Sequence, residues 1–397
     1  MTIPLSDMQQ ALKNFGMDGW LMYDFRGINP LARRILKLED GHLQSRRWFY
    51  YIPQSGTPAK LVHAIEADAL DHLPGEKFVY LSYQELQTFL KTILKEPKKI
   101  AGEYVAMGNN PYISRLDGGT IDMIRACDVE LVSSGDLIQQ FEAVLDESQL
   151  HMHLDAAHVT RTAFHAAWDF MQQKITQNGY VDEVAVQEVI LSHFESHKCT
   201  TYSPPIVAVN ANAGLPHYET GTGTYTRITK GDLVLIDLWA KLKKPNAIYS
   251  DLTCMAYIGE LIPEKLHNIF QVVIAGRDAA FALVQDRFAA KTPVYGWELD
   301  HITRETITKA GYGHLFTHRT GHNLGQEVHG NGAHLDSIET RDERQILPST
   351  LFTIEPGIYN APENYGFRSE INVFITAEGE VQETGGIRQY EIERIHV

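Results

Sequence analysis

Over residues 1–145 the apolar positions fall in short runs that read as strands, at 19–25, 47–52, 59–65, 77–81, 99–104 and 129–132. Between them, apolar residues recur at helical spacing over 5–15, 83–94 and 117–125. Such alternation argues for an α/β domain. Near Asp146–Ser148 the pattern gives way to a long amphipathic helix over about 149–175, which sets the expected domains at 1–146 and 147–397. Its His151, His158 and His165 recur every seven residues, a rise of roughly 10.5 Å, too far apart to share one ion. A second helix follows over 181–194, then a strand running into a loop that bears His217. Further helices are expected over 264–284 and 297–311, with Gly311 as a stop. No literal repeat, low-complexity segment or long linker is visible.

Two pairs of carboxylates interrupt the apolar runs. Asp237 sits in G-D-L-V-L-I-D-L-W-A and Asp251 in A-I-Y-S-D-L-T-C-M-A-Y-I, with a turn-like K-L-K-K-P-N between them. Glu355 sits in F-T-I-E-P-G-I-Y and Glu370 in F-R-S-E-I-N-V-F, with Asn360, Pro362, Asn364 and Gly366 between. The first pair is 14 residues apart and the second 15, so each reads as a hairpin carrying two inward acids. A buried carboxylate is costly unless paired or bound to a metal, and four cannot share a pocket without cations. Two divalent ions would supply the charge, with His322 of the Gly-rich H-R-T-G-H-N-L-G-Q-E-V-H-G as nitrogen ligand.

In order and context, Asp237, Asp251, His322, Glu355 and Glu370 resemble the five-ligand dinuclear site of the pita-bread metallopeptidases. That family includes Xaa-Pro dipeptidases (prolidases), aminopeptidases P and methionine aminopeptidases. The matching phrases are L-P-H-Y at 215–218, G-D-L-V-L-I-D at 231–237, S-D-L-T at 250–253, T-G-H-N-L-G-Q-E-V-H at 320–329, I-E-P-G-I-Y at 354–359 and R-S-E at 368–370. The resemblance implies an α/β N-terminal creatinase-type domain and an α+β C-terminal pita-bread domain with pseudo-twofold halves. It implies hydrolysis of Xaa-Pro bonds in a small peptide, by a dipeptidase or an N-terminal aminopeptidase, and a homodimer. Asp237 would bind one ion, Asp251 and Glu370 would bridge, and His322 and Glu355 would sit on the other. Glu355 is the expected proton shuttle, and His329 and His217 the expected contacts to substrate. Arg368 is expected on the strand face of Glu370, supporting the site or a substrate carboxylate, and His318 behind the ligands. Manganese is the metal the resemblance favours; zinc, cobalt and iron also suit such donors.

Three departures stand out. Trp239 replaces a usual Gly on the face of Asp237 and is expected to crowd the pocket and touch substrate. Gly330 follows His329 where relatives carry an acid, and Lys241–Asn246 lengthens the hairpin. These keep two alternatives in view: a lyase or other hydrolase acting on a small non-peptide substrate at the same metal site, or a non-catalytic binding protein of this fold.

Composition narrows the partners. The 397 residues include 35 Lys and Arg against 50 Asp and Glu, a net charge of −15, which argues against a nucleic-acid surface. Arg26, Arg33, Arg34, Arg46 and Arg47 read as solvated charge, or as arms reaching a neighbouring subunit or a substrate carboxylate. Cys127, Cys199 and Cys254 are scattered, so a disulfide framework is not expected. No apolar run has membrane-spanning length. The expected setting is cytoplasmic, with no membrane partner.

Overall fold

The fold is described from a computed structural model covering residues 3–38 and 44–397. Two compact units divide between Glu142 and Ala143, four residues before the boundary expected from the helix onset.

The first unit is built on a six-stranded mixed sheet. Its spatial order is Glu76–Tyr80, Ala59–His63, Trp48–Pro53, Gly19–Asp24, Lys99–Gly102, Glu130–Ser133. All six strands expected from the apolar runs are present. Every residue of the strand Gly19–Asp24 is buried, because apolar clusters cover both faces of the sheet. Leu5–Asn14, Tyr83–Ile93 and Gly118–Arg125 are the expected helices. Ser82 caps the second of them, accepting from Glu85 N at 3.2 Å while Glu85 Oε2 accepts from Ser82 N at 3.0 Å. A further short helix, Pro30–Ile35, carries Arg33 and Arg34, and these two and Arg47 make local ties. Arg33 pairs with Asp24 at 3.4 Å, Arg34 with Glu142 at 2.8 Å, and Arg47 lies over the Phe25 ring at 5.9 Å.

In the second unit the helix Glu147–Asn178 starts on a capping box between Asp146 and Gln149 and stops at Gly179, where φ is +82°. Its apolar side packs on the hairpin of strands Leu233–Leu242 and Ser250–Ile258. That hairpin is fixed in register with Asp237 opposite Thr253 and Trp239 opposite Asp251. The other half repeats the plan. Strands Leu351–Ile354 and Ile371–Ile375 pair antiparallel, backed by the helix Glu264–Ala289, with Gly296–Lys309 beside it. Glu355 and Glu370 lie where this pair ends, just beyond Ile354 and Ile371, which are themselves register partners. Between the two glutamates the chain makes a separate hairpin, Gly357–Asn360 with Tyr365–Arg368. A Cβ at Gly366 would lie 1.8 Å from the Ala213 carbonyl, so glycine lets this hairpin seat directly on the turn 210–214 that leads to His217. Each half therefore carries two acids on an antiparallel strand pair, within the strands in the first half and just beyond their ends in the second. No helix among the described residues is long and apolar enough to cross a membrane.

Candidate metal centre

The two halves bring their acids together. One ligand atom each from Asp251, His322 and Glu370 lies within 4.8 Å of the others, and all three residues are buried. His322 Nδ1 lies 3.2 Å from the Asn323 carbonyl, which can only accept, so Nδ1 carries the proton. Nε2 faces Asp251 Oδ2 at 3.6 Å and Glu355 Oε1 at 3.1 Å.

The remaining carboxylate, Asp237, is taken by a cation from the protein: its Oδ2 pairs with Arg368 Nη2. Arg368 also donates from Nε to Thr253 Oγ1 at 3.1 Å, and Thr253 donates to Glu370 Oε2 at 2.8 Å. Arg368 was expected to share a strand face with Glu370. Instead its strand ends at Arg368 and Glu370 precedes the next one, so the two meet through the Thr253 hydroxyl.

The electrostatics favour a bound cation. Burial, and then the charges of neighbouring acids, push the Asp251 and Glu370 carboxyls well above their usual range. Burial raises Asp237 too, against the pull of Arg368. Burial also opposes ionisation of Glu355, but the hydrogen bond and charge of His322 hold it below the usual range. Asp251 Oδ1 and Glu370 Oε1 are buried with no hydrogen-bond partner. Two bare carboxylate oxygens beside an imidazole nitrogen are a donor set for a divalent cation, and the residues fit one.

Around this centre sit the other expected residues. His329 lies with its ring centroid 4.5 Å from that of His322, and burial pushes its pKa down to about 2, so the ring is neutral. His217 is exposed on its turn and bears electrostatically on His329. His318 is half-buried, its pKa pushed down to about 4 by desolvation, with Nδ1 2.6 Å from the Arg319 carbonyl and Nε2 2.7 Å from the Tyr359 hydroxyl. Trp239 does not line the open pocket. Facing Asp251 across the hairpin, its ring packs into an apolar cluster with Leu324 and Val328 and lies under Tyr202, centroids 5.9 Å apart. Gly330 has a steric reason: a Cβ there would come within 2.3 Å of Asn323 Oδ1.

Several contributors escaped the sequence reading. Thr253 was open to it, since strand alternation puts it on the face of Asp251 two residues away. Tyr359 and Glu183 carried no such signal. Glu183, fully buried, accepts from Val209 N at 2.7 Å, Asn212 Nδ2 at 2.8 Å and the Tyr218 hydroxyl at 2.6 Å, tying down the turn that holds His217.

The architecture is an N-terminal α/β domain followed in sequence by a pita-bread domain, with a buried cluster of acids and histidine where the two halves of the latter meet. The chain belongs to metallopeptidase family M24, which it matches over residues 152–377. It is 30% identical over 253 residues to the uncharacterized peptidase YqhT of Bacillus subtilis, covering 64% of this chain and 65% of that one. It is 31% identical over 244 residues to an Xaa-Pro dipeptidase of Pyrococcus furiosus, covering 62% and 64%. These matches therefore span a little under two thirds of the relatives' length. The fold extends further: dipeptidase PepE from Mycobacterium ulcerans superimposes with a TM-score of 0.72 over 99% of this chain and 97% of that one, at 19% identity.

Proposed function

We propose that this chain hydrolyses Xaa-Pro peptide bonds, with two divalent ions, manganese by preference, held by Asp237, Asp251, His322, Glu355 and Glu370. The observation that carries the reading is the convergence of Asp251, His322 and Glu370 with two bare carboxylate oxygens. The likeness to a curated Xaa-Pro dipeptidase supports the choice of bond. When bound, such ions lower the pKa of a water and polarise a carbonyl.

The chain's own residues do the rest. Glu355, ionised and beside His322, takes the proton of the attacking water and passes it to the leaving nitrogen. His329, neutral, donates a hydrogen bond to the oxygen that gains charge as the carbonyl carbon becomes tetrahedral. His217 contacts the substrate from its turn. Arg368 balances Asp237 and, through Thr253, orients Glu370. Three free cysteines support a reducing, cytoplasmic setting, and the resemblance supports a homodimer, which light scattering would check.

The test is elemental analysis of manganese-loaded protein together with assays on Gly-Pro, Ala-Pro and a longer Xaa-Pro peptide. About two ions per chain and turnover abolished by chelation are expected. Bound metal with no turnover of any of the three would overturn the assignment.

A further inference from the structure

The histidines spaced along the helix Glu147–Asn178 are too far apart to share an ion with one another, but His158 meets partners on the next helix. The chain turns back at Gly179 into the helix Glu183–Ser196. The two helices touch again where His193 Nε2 lies 2.9 Å from the Thr162 hydroxyl, so they run antiparallel. One turn further from the joint stand His158 on the first helix and His197 at the end of the second. Three imidazoles thus share one patch, and the charges of both His197 and His158 act on His193. His193 is half-buried and the other two are exposed. The His197 N–H still bonds the His193 carbonyl at 3.2 Å, which keeps the pair in helical register with ring centroids 4.2 Å apart. Two histidines four residues apart on one helix face are a zinc-binding spacing.

The hydrogen bonds around the rings set their tautomers. Thr162 has one hydroxyl proton, directed at the His158 and Val159 carbonyls 3.0 and 3.1 Å away. Its oxygen therefore accepts from His193 Nε2–H, and in the neutral ring Nδ1 is the coordinating nitrogen. His197 Nδ1 lies 2.8 Å from the His193 carbonyl, which only accepts, so in that ring Nε2 is the coordinating nitrogen. An imidazole whose outer N–H is held by a hydroxyl or a carbonyl while the other nitrogen stays available is oriented as metal-ligating histidines are. His158 Nδ1 accepts from Arg161 at 3.0 Å, an exposed contact that an ion can replace. The three nitrogens are not gathered within 4.8 Å as those of the acidic centre are. The exposed rings of His158 and His197 close on an ion by rotating about their own side-chain bonds.

We infer that His158, His193 and His197 form a further metal site, for a borderline transition ion such as zinc, that ties the two helices together apart from the acidic centre. Three nitrogen donors select zinc, copper or nickel, whereas a carboxylate-rich centre suits manganese. The helix Glu147–Asn178 packs on the hairpin that carries Asp237 and Asp251, so the ion braces the support of the centre from outside.

The experiment is equilibrium dialysis of the full chain, without a polyhistidine tag, against zinc, followed by elemental analysis. Wild type is compared with His193→Gln/His197→Gln. One zinc fewer per chain is expected in the double variant, however many ions the acidic centre takes. Thr162→Val removes the acceptor of His193 Nε2–H and should weaken this zinc about 10- to 100-fold. Zinc should raise the melting temperature of wild type more than that of the double variant, and the two should melt alike in chelator. Activity enters none of these measurements, so the result is independent of Xaa-Pro hydrolysis. His151→Gln/His165→Gln removes two other exposed rings of the same helix and should keep the full zinc count. Equal zinc in wild type and in His193→Gln/His197→Gln, or the same loss in His151→Gln/His165→Gln, would overturn the site.

Discussion

The hydroxyl of Thr253 donates to Oε2 of Glu370 at 2.8 Å, joining the first strand pair to the end of the second across 117 residues of chain. That bond occupies one carboxylate oxygen and leaves Oε1 bare toward Asp251 and His322. Hydrogen bonds of this kind orient a ligand, and losing one typically costs about 10- to 100-fold in metal affinity. Thr253→Val keeps the shape and removes the donor. Manganese binding measured by calorimetry should weaken by that factor. Unchanged affinity would mean that Glu370 is oriented by its backbone alone.

Arg368 is a counter-charge within the acidic centre, through its pair with Asp237. Removing one partner of a buried ion pair costs roughly 3–5 kcal/mol. Here the loss should depend on metal, because bound cations compensate the same acids. Arg368→Gln should lower stability by about that amount in chelator and by clearly less at saturating manganese, as read from urea unfolding. Equal losses in both conditions would separate Arg368 from the charge balance of the centre.

The carboxylate pairs were visible in the sequence because an acid inside an apolar run breaks a pattern, and a turn between two such runs implies that they face one another. The six strands of the first unit were visible for a similar reason: each is an apolar run closed by turn residues. Register was not visible. Nothing in the residues themselves says that Trp239, rather than Asp237, faces Asp251, and that choice buries the indole under Tyr202. Nor could spacing show that the chain leaves its strand between Arg368 and Glu370. The pairing of Arg368 with Asp237, 131 residues away, is long-range packing with no local signature.

Glu183 bears from a distance on the substrate contact proposed for His217. Its carboxylate gathers the Val209 and Gly221 amides, the Asn212 amide and the Tyr218 hydroxyl, bracketing His217 on both sides. All of these are donors, so Glu183→Gln would turn an N–H toward a site that needs an acceptor. A shift of about 1 Å in a positioned group can cost on the order of 100-fold. We expect kcat/KM on Gly-Pro to fall at least about tenfold, with stability lowered by roughly 1–3 kcal/mol. Normal kcat/KM in a destabilised variant would remove His217 from the substrate site.

A pH dependence should arise in the first unit, far in sequence from any metal ligand. Glu103 is fully buried, and burial pushes its pKa from 4.5 up to about 6 against the hydrogen bonds of Trp20 and Asn29, each 2.8 Å long. The raised value means that the folded state holds the proton more tightly than the unfolded one. Its contribution is therefore fully present below pH 4.5, is lost as pH rises through about 6, and stays lost above. A shift of this size corresponds to roughly 2 kcal/mol. Other carboxylates titrate in the same range, so the comparison that isolates it is with Glu103→Gln. Urea unfolding followed by tryptophan emission should show the wild-type protein losing about 2 kcal/mol more than the variant between pH 4.5 and 7. Parallel curves would show that Glu103 ionises in the fold as readily as in the unfolded chain.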